Sequence, residues 1–435
     1  MAVLSVLSRE VIVDIVHSRC CGLDVHQATV VACVLVSEEG RARPRKEVRT
    51  FRTVRCELEE LRAWLLEQAV STVVMEGTGV YWRPVYAVLE GHLDLYVVNA
   101  RHVRNVPGRK TDVKDSEWLA TLLRMGLLRK SFVPCKAIRA LRDLTRYRRM
   151  LVQSETTEKN RILKVLETAG VKVATFASDV FGVSGMAMLK ALASGELPPE
   201  QIADLARGRL RQKLADLRLA FDVLIEEHHR ILLRDLLERL AQTAKDIARY
   251  EELLDTYVAP YEKNLEMLCT IDGIQRRAAI EVFAEVGPDL ADFPSDANFA
   301  AWTGTCPGKN ESAGKAMKAR RRRGNPYLQS ILVEAALAAS RKKATYLRDK
   351  YHRLKARRGA MRALFAIAHK LARAVYRVLT TGEPYRDLGP EYLDAKNKDG
   401  LVRQLVNRLK RIATLDDVVA HFQPAPIPPP IIPGT

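Results

Sequence analysis

Four carboxylates stand in settings that ordinary packing does not call for: Asp24 in "GLDVH", Glu76 in "VVMEG", and Asp112 and Asp115 in "KTDVKD". Asp24 is flanked by Leu23 and Val25, and an Asp among apolar strand residues is costly unless its charge has a partner. Glu76 ends an apolar run just before Gly77 and Gly79 free the backbone. Asp112 and Asp115 are three apart where an apolar helical pattern begins, so they share a helix face. Taken singly, an Asp at a helix start is a cap. Taken together, four close carboxylates would push one another's pKa values up, and a divalent cation relieves that repulsion. Hard oxygen donors suit Mg²⁺ or Mn²⁺. Two such ions about 4 Å apart can hold the entering and leaving oxygens of a phosphoryl transfer.

Charge points to the partner. The formal charge is +18, and residues 301–380 carry 20 Lys and Arg against three acids, Glu311, Glu334 and Asp349. That segment alone is +17, nearly the whole excess. Its sharpest run, "KAMKARRRRGN", holds Lys315, Lys318, Arg320, Arg321, Arg322 and Arg323, with Lys309 just ahead; Arg109 and Lys110 flank the acidic pair. A single run of this kind is a solvated face. A bias sustained through "RKKATYLRDKYHRLKARRGAMR" predicts a polyanion, and nucleic acid fits best because phosphate neutralisation releases counterions. An anionic membrane surface fits less well, since Phe and Trp are sparse there. The longest apolar stretch, "ATVVACVLV", is far shorter than the roughly 20 residues a membrane helix needs. Seven cysteines without a C-x-x-C pair argue against a disulfide framework or a zinc site, and the expectation is a reduced, cytoplasmic protein.

The elements that must carry the acids are legible. "CCGLDVH", "ATVVACVLVS" and "EVRTFRT" read as three successive strands, and "CELEELRAWLLEQ" as a helix. The strand "STVVMEG", the helix "YWRPVYAVLEG", the short strand "DLYVV" and the helix after Asp115 follow. Three meandering strands and then alternating helix and strand is the order of the ribonuclease H-like fold. Further on, "LRDLTRYRRMLVQSETTEKNRILKVLETAG" predicts a long basic amphipathic helix. Leu210, Leu214, Leu217, Phe221 and Leu224 alternate spacings of four and three, which predicts a coiled coil, within the chain or between chains, against the plainer alternative of a core-packed helix. "LCTIDGIQRRAAIEVFAEVG" reads as helix, Gly273 turn, helix: a plain packing hairpin, or a helix-hairpin-helix whose turn amides grip a phosphate. The expected class is therefore α/β plus all-α. A ribonuclease H-like domain at 18–135 precedes a helical coiled-coil middle at 136–260. A mostly helical domain with the helix-hairpin-helix spans 261–385, and 386–435 holds a basic helix and a Pro-rich tail.

Three stretches of the first half, "CGLDVHQATVVACVL", "VMEGTGVYWRPVYAVLE" and "NARHVRNVPGRKTDVKDSEWLATLL", closely resemble the RuvC-like DEDD domain of the insertion sequence one-ten transposase family. In the second half, "LCTIDGIQRRAAIEVFAEVG", "FAAWTGTCPGKNESAGK" and "RRRRGNPYLQSILVEAALAA" resemble that family's C-terminal transposase domain. The resemblance implies a site-specific DNA recombinase that moves its own element. By the same resemblance Asp24, Glu76, Asp112 and Asp115 are the metal-binding catalytic acids, and Ser312, in an S-x-G loop, is the nucleophile. Attack on DNA phosphorus would give a phosphoserine ester, with Lys315 and neighbouring arginines offsetting charge in the transition state. Thr303, Thr305 and Ser330 compete for that role. The resemblance further implies a noncoding bridge RNA pairing with donor and target DNA, a dimer of dimers, and sites shared between protomers. This chain departs in a longer helical middle and an extra tail.

Two rivals remain from the residues alone. One is a hydrolytic junction-resolving nuclease, in which water attacks instead of Ser312. The other is an actin-like sugar kinase, for which "GLDVH" would be a phosphate strand, but no glycine-rich second lobe is found downstream. An inactive DNA-binding derivative is a third, disfavoured because all four acids and the serine are present.

Overall fold

The computed structural model describes residues 15–38, 43–104, 106, 114–308, 311–312, 314–316 and 323–412. It divides into two units, 1–133 and 134–435.

The first unit is built on strands β1 (Arg19–Val25), β2 (Thr29–Val36) and β3 (Arg45–Arg52), helix α1 (Arg55–Glu67) and strand β4 (Thr72–Glu76). Helix α2 (Trp82–Leu89), β5 (Asp94–Val98), α3 (Ala100–Arg104) and α4 (Asp115–Arg124) complete it. The sheet order is β3-β2-β1-β4-β5, with β1, β2 and β3 antiparallel and β1, β4 and β5 parallel. Both faces of its centre are covered, so β1 and β4 are apolar almost throughout instead of alternating. On one face Leu23, Val73 and Met75 pack with Leu61, Trp64 and Leu65 of α1 and Leu89 of α2. On the other, Cys20, Cys33, Val74 and Val98 pack with Leu119, Leu122 and Leu123 of α4. The adjacent Cys20 and Cys21 are both fully buried, one on each face.

The second unit is almost wholly helical. It opens with α5 (Lys136–Thr168), then α6 (Val173–Phe176), α7 (Val183–Ser194), α8 (Pro199–Asp204), α9 (Leu214–Phe221) and α10 (Glu227–Val258). The leucine repeat from Leu210 does not form the expected coiled coil. A 3-10 turn occupies 208–213, α9 ends at Phe221, and Leu224 is 93% exposed beyond it. Leu217 and Phe221 instead seal a local cluster with Leu166, Met188, Leu189 and Leu237. The long helices that do pack together are α5 and α10, joined by the Arg148–Glu251 pair (2.6 Å) and the Tyr147–Tyr250 ring contact.

Helices α11 (Glu262–Cys269), α12 (Arg276–Val286) and α13 (Asp296–Trp302) lead to a two-stranded hairpin, β6 (Glu311–Ser312) and β7 (Lys315–Ala316). Helices α14 (Pro326–Ala339), α15 (Tyr346–Arg358) and α16 (Ala360–Thr381) come next, then α17 (Tyr392–Lys396) and α18 (Lys398–Ile412). Helix α16 is central, packing on α11, α13, α14 and α15. Gly273, with φ 87°, turns the chain between α11 and α12. A side chain there would collide with the Ala335 carbonyl oxygen, so this turn lies directly on α14. Among the described residues no helix is long and apolar enough to cross a membrane.

Candidate active site

Leu23 of β1 sits opposite Met75 of β4 in the parallel ladder. Asp24 and Glu76 each come one residue after that pair, so strand alternation turns both toward the face that α4 covers. The approach of α4 depends on Gly22. A Cβ on Gly22 would stand 2.1 Å from the Ser116 carbonyl oxygen and 2.5 Å from the Ala120 nitrogen, so only a bare backbone admits the helix. Lys46 of β3 fixes the same turn from the side, donating to both oxygens of Glu117 at 3.0 Å. The start of α4, and with it Asp115, is thereby laid over the ends of β1 and β4.

Three of the four expected acids, Asp24, Glu76 and Asp115, are near enough for the charges of two to act on the third. Burial pushes the Glu76 carboxyl above the usual range, and Asp115 and Asp24 push it further; Arg104 and the Thr78 hydroxyl pull partly back. Thr78 Oγ1 lies 3.5 Å from Glu76 Oε2, and His26 Nε2 pairs with Asp24 Oδ2 at 3.2 Å. His26, Thr78, Arg104 and Gly22 are members of this neighbourhood that the sequence pattern does not single out. His26 alone was legible, since a residue two beyond Asp24 along a strand direction lies on the same side. Asp112, Arg109 and Lys110 lie outside the described residues. Among the described residues no three His, Cys, Asp or Glu side chains are already gathered closely enough to hold an ion. The donor chemistry nevertheless fits a hard cation: carboxylates from β1, β4 and α4 share one neighbourhood, and their mutual repulsion is what a cation relieves.

The serine segment belongs to the second unit. Ser312 of β6 is paired in register with Lys315 of β7, and Gly314 takes φ 75° in the turn between them. Lys309, Lys318, Arg320, Arg321 and Arg322 lie outside the described residues, and Arg323 is exposed. The three competing hydroxyls are committed elsewhere. Thr303 and Thr305 are buried; the Thr303 hydroxyl donates to the Ala300 carbonyl at 2.9 Å and accepts from the Thr305 hydroxyl at 2.9 Å. Ser330 accepts from Arg149 at 2.6 Å and donates to Glu334.

Helix α14, the next element after the hairpin, is anchored from below. Asn325 caps it, its Oδ1 accepting from the Tyr327 and Leu328 amides at 3.0 and 3.2 Å. Its Nδ2 donates to Glu285 Oε2 at 2.6 Å, and Glu285, 2% exposed, also takes a two-pronged bond from Arg146 of α5.

Residues 21–170 match the family model of the IS110-type DEDD transposase, and residues 265–352 match that of the transposase IS116/IS110/IS902 family. The chain belongs to this IS110 family of DEDD transposases. The first match contains Asp24, Glu76 and Asp115, and the second contains Ser312. The transposase for insertion sequence element IS1111A of Coxiella burnetii (strain RSA 493 / Nine Mile phase I) is 26% identical over 326 residues. That alignment covers 73% of this chain and 80% of the relative. A putative transposase, y4pF/y4sB, of Sinorhizobium fredii (strain NBRC 101917 / NGR234) is 29% identical over 198 residues, 42% of this chain and 48% of that one. As an IS110-family transposase the protein is a DNA-acting enzyme, and its DEDD family implies dependence on a divalent metal.

Proposed function

We propose that this transposase is a site-specific recombinase that breaks and rejoins DNA through a phosphoserine at Ser312. In this reading the first unit is ribonuclease H-like, with Asp24, Glu76, Asp112 and Asp115 holding Mg²⁺ or Mn²⁺. The observation that carries it is that Asp115 and Asp24 both act on the Glu76 carboxyl at the end of a sheet ordered β3-β2-β1-β4-β5. That is where an RNase H-like nuclease would gather its acids. A bound divalent ion would supply Lewis-acid stabilisation of charge on the attacked phosphate.

The protein's own groups have distinct tasks. The Ser312 Oγ–phosphorus bond forms as a phosphorus–oxygen bond of the DNA strand breaks; the hydroxyl proton leaves to a base and the departing sugar oxygen is protonated. Attack by a second strand's sugar hydroxyl reverses the step, so no external energy source is needed. Lys315, across the hairpin from Ser312, offsets charge on phosphorus. Lys309, Lys318, Arg320, Arg321, Arg322, Arg323, Arg109, Lys110 and the Gly273 turn contact nucleic acid. A bridge RNA supplies sequence recognition by base pairing, and two dimers assemble so that acids and serine come from different protomers.

The test is denaturant-resistant linkage of protein to labelled DNA carrying the element's junction, with Mg²⁺ and copurified RNA present. Wild type should form the adduct; Ser312→Ala and Asp24→Asn should not, and ribonuclease treatment beforehand should prevent it. If Ser312→Ala still cuts at the wild-type rate and no adduct forms, water is the nucleophile and the hydrolytic reading replaces this one.

A further inference from the structure

We infer that the cavity between α16, the start of α15 and residues 383–388 is a binding cleft for the phosphodiester backbone of a nucleic-acid strand. It rests on the reading of the chain as a nucleic-acid recombinase, but none of its residues belongs to the acids, the serine hairpin or the basic run.

The cavity measures about 470 Å³, and Lys370, Arg373, Arg377 and Arg386 line it together with Tyr346 and Tyr385. Lys370, Arg373 and Arg377 are spaced three and four apart, so they form one stripe of α16 about 10 Å long. The stripe is long enough to meet more than one backbone phosphate. The nearby acids have structural duties. Asp296 accepts from Arg373 at 2.6 Å, and Asp387 accepts from the Tyr346 and Gly389 amides at 3.1 and 2.8 Å. Glu383, exposed at the rim, is the remaining acid of the lining.

Behind the stripe the arrangement is costly without an anion. Half-buried Lys350 donates to the Tyr346 hydroxyl at 2.8 Å, a neutral partner. Burial lowers its pKa, and Lys396 lowers it further; Lys370 is lowered by burial and then by Lys350. The charges that weigh on these two ammonium groups are chiefly other cations. A surface that keeps like charges crowded in a concave, partly desolvated place suits a polyanion, because each phosphate removes repulsion as well as adding attraction. The cleft is also preformed. Its outer wall is held by the Tyr385 amide donating to Thr270 Oγ1 at 2.9 Å.

The experiment compares full-length wild type with Lys370→Ala/Arg377→Ala across a salt series. Three probes of one sequence are used: duplex DNA, single-stranded DNA and RNA. At least one probe should bind about tenfold more weakly, with its log K against log salt slope shallower by about two. The affected probe identifies the strand that occupies the cleft. Arg239→Gln/Lys245→Gln, two exposed cations of α10, should change neither quantity as much. Unchanged affinity and slope for all three probes would overturn the proposal, as would an equal loss from the α10 pair. If the first variant melts early, Arg377→Gln/Arg386→Gln, both exposed, carries the same comparison. Absence of the Ser312 adduct would refute the recombination mechanism while leaving this binding result to stand on its own.

Discussion

Gly22 of β1 and Ser116 of α4 meet backbone to backbone, and their neighbours Asp24 and Asp115 act on the same Glu76 carboxyl. A glycine two residues before one acid thus sets the position of a helix that begins with another. Gly22→Ala forces the first turn of α4 away from the sheet, because backbone atoms rather than a flexible side chain stand in the way. Overpacking of this kind costs about 1–3 kcal/mol. Strand-transfer activity should fall by far more than that loss explains at a temperature where the variant stays folded. Wild-type turnover in a folded Gly22→Ala protein would separate the placement of α4 from catalysis.

Glu76 gives the metal-free protein a pH signature. Its folded pKa is raised, so the folded state favours the protonated form. That contribution is fully present below the unfolded carboxylate pKa and is lost as pH rises through the raised folded value. Metal-free Glu76→Gln should therefore match wild type in acid and melt higher than wild type at neutral pH, while losing activity. Adding Mg²⁺ should reverse the order, stabilising wild type and leaving the variant unmoved. Melting curves across pH, with and without the ion, decide the matter; a variant less stable than wild type at neutral pH without metal contradicts it.

Glu285 joins three helices at one buried carboxylate, accepting from Arg146 on α5 and from the α14 cap Asn325. Arg142 stands 3.4 Å away and donates to the Ala284 and Glu285 carbonyls. Glu285→Ala removes the carboxylate that Arg146 grips and Arg142 faces, and should cost about 3–5 kcal/mol. Asn325→Ala alone removes a cap worth about 1 kcal/mol. The two changes share a hydrogen bond, so a denaturation cycle should show coupling of at least about 0.5 kcal/mol. Strict additivity would mean that the buried carboxylate and the cap act independently.

Much of the first unit could be read from pattern. Its strands are short β-branched runs between turn signals, and an Asp or Glu at the end of such a run stands out because apolar flanks make it expensive. The role of Gly22 could not be read, since it depends on a helix far later in the chain; from sequence it is only a glycine in a strand. The heptad from Leu210 misled for a related reason. Spacings of three and four mark apolar positions, not helix continuity, and α9 stops after Phe221 while its leucines serve a local cluster. The pairing of α5 with α10 was equally hidden, because Arg148 and Glu251 look like ordinary surface charges until the fold opposes them. The cleft beside α16 is invisible in the sequence because a stripe of Lys and Arg at helical spacing resembles any wet helix face until Tyr346 and Tyr385 close around it.

The thiols provide an internal gauge of the first unit. Cys20, Cys21 and Cys33 are sealed in the sheet, and burial raises all three pKa values, to about 12 for Cys20 and about 11 for Cys33. Cys56, Cys135 and Cys269 lie open to solvent. A small alkylating reagent at neutral pH should therefore modify Cys56 and Cys135 promptly, Cys269 more slowly because burial raises its thiol too, and the sealed ones only when the strands part. Mass spectrometry of the slow fraction would time that parting in the native chain, with no introduced label, during the encounter with DNA.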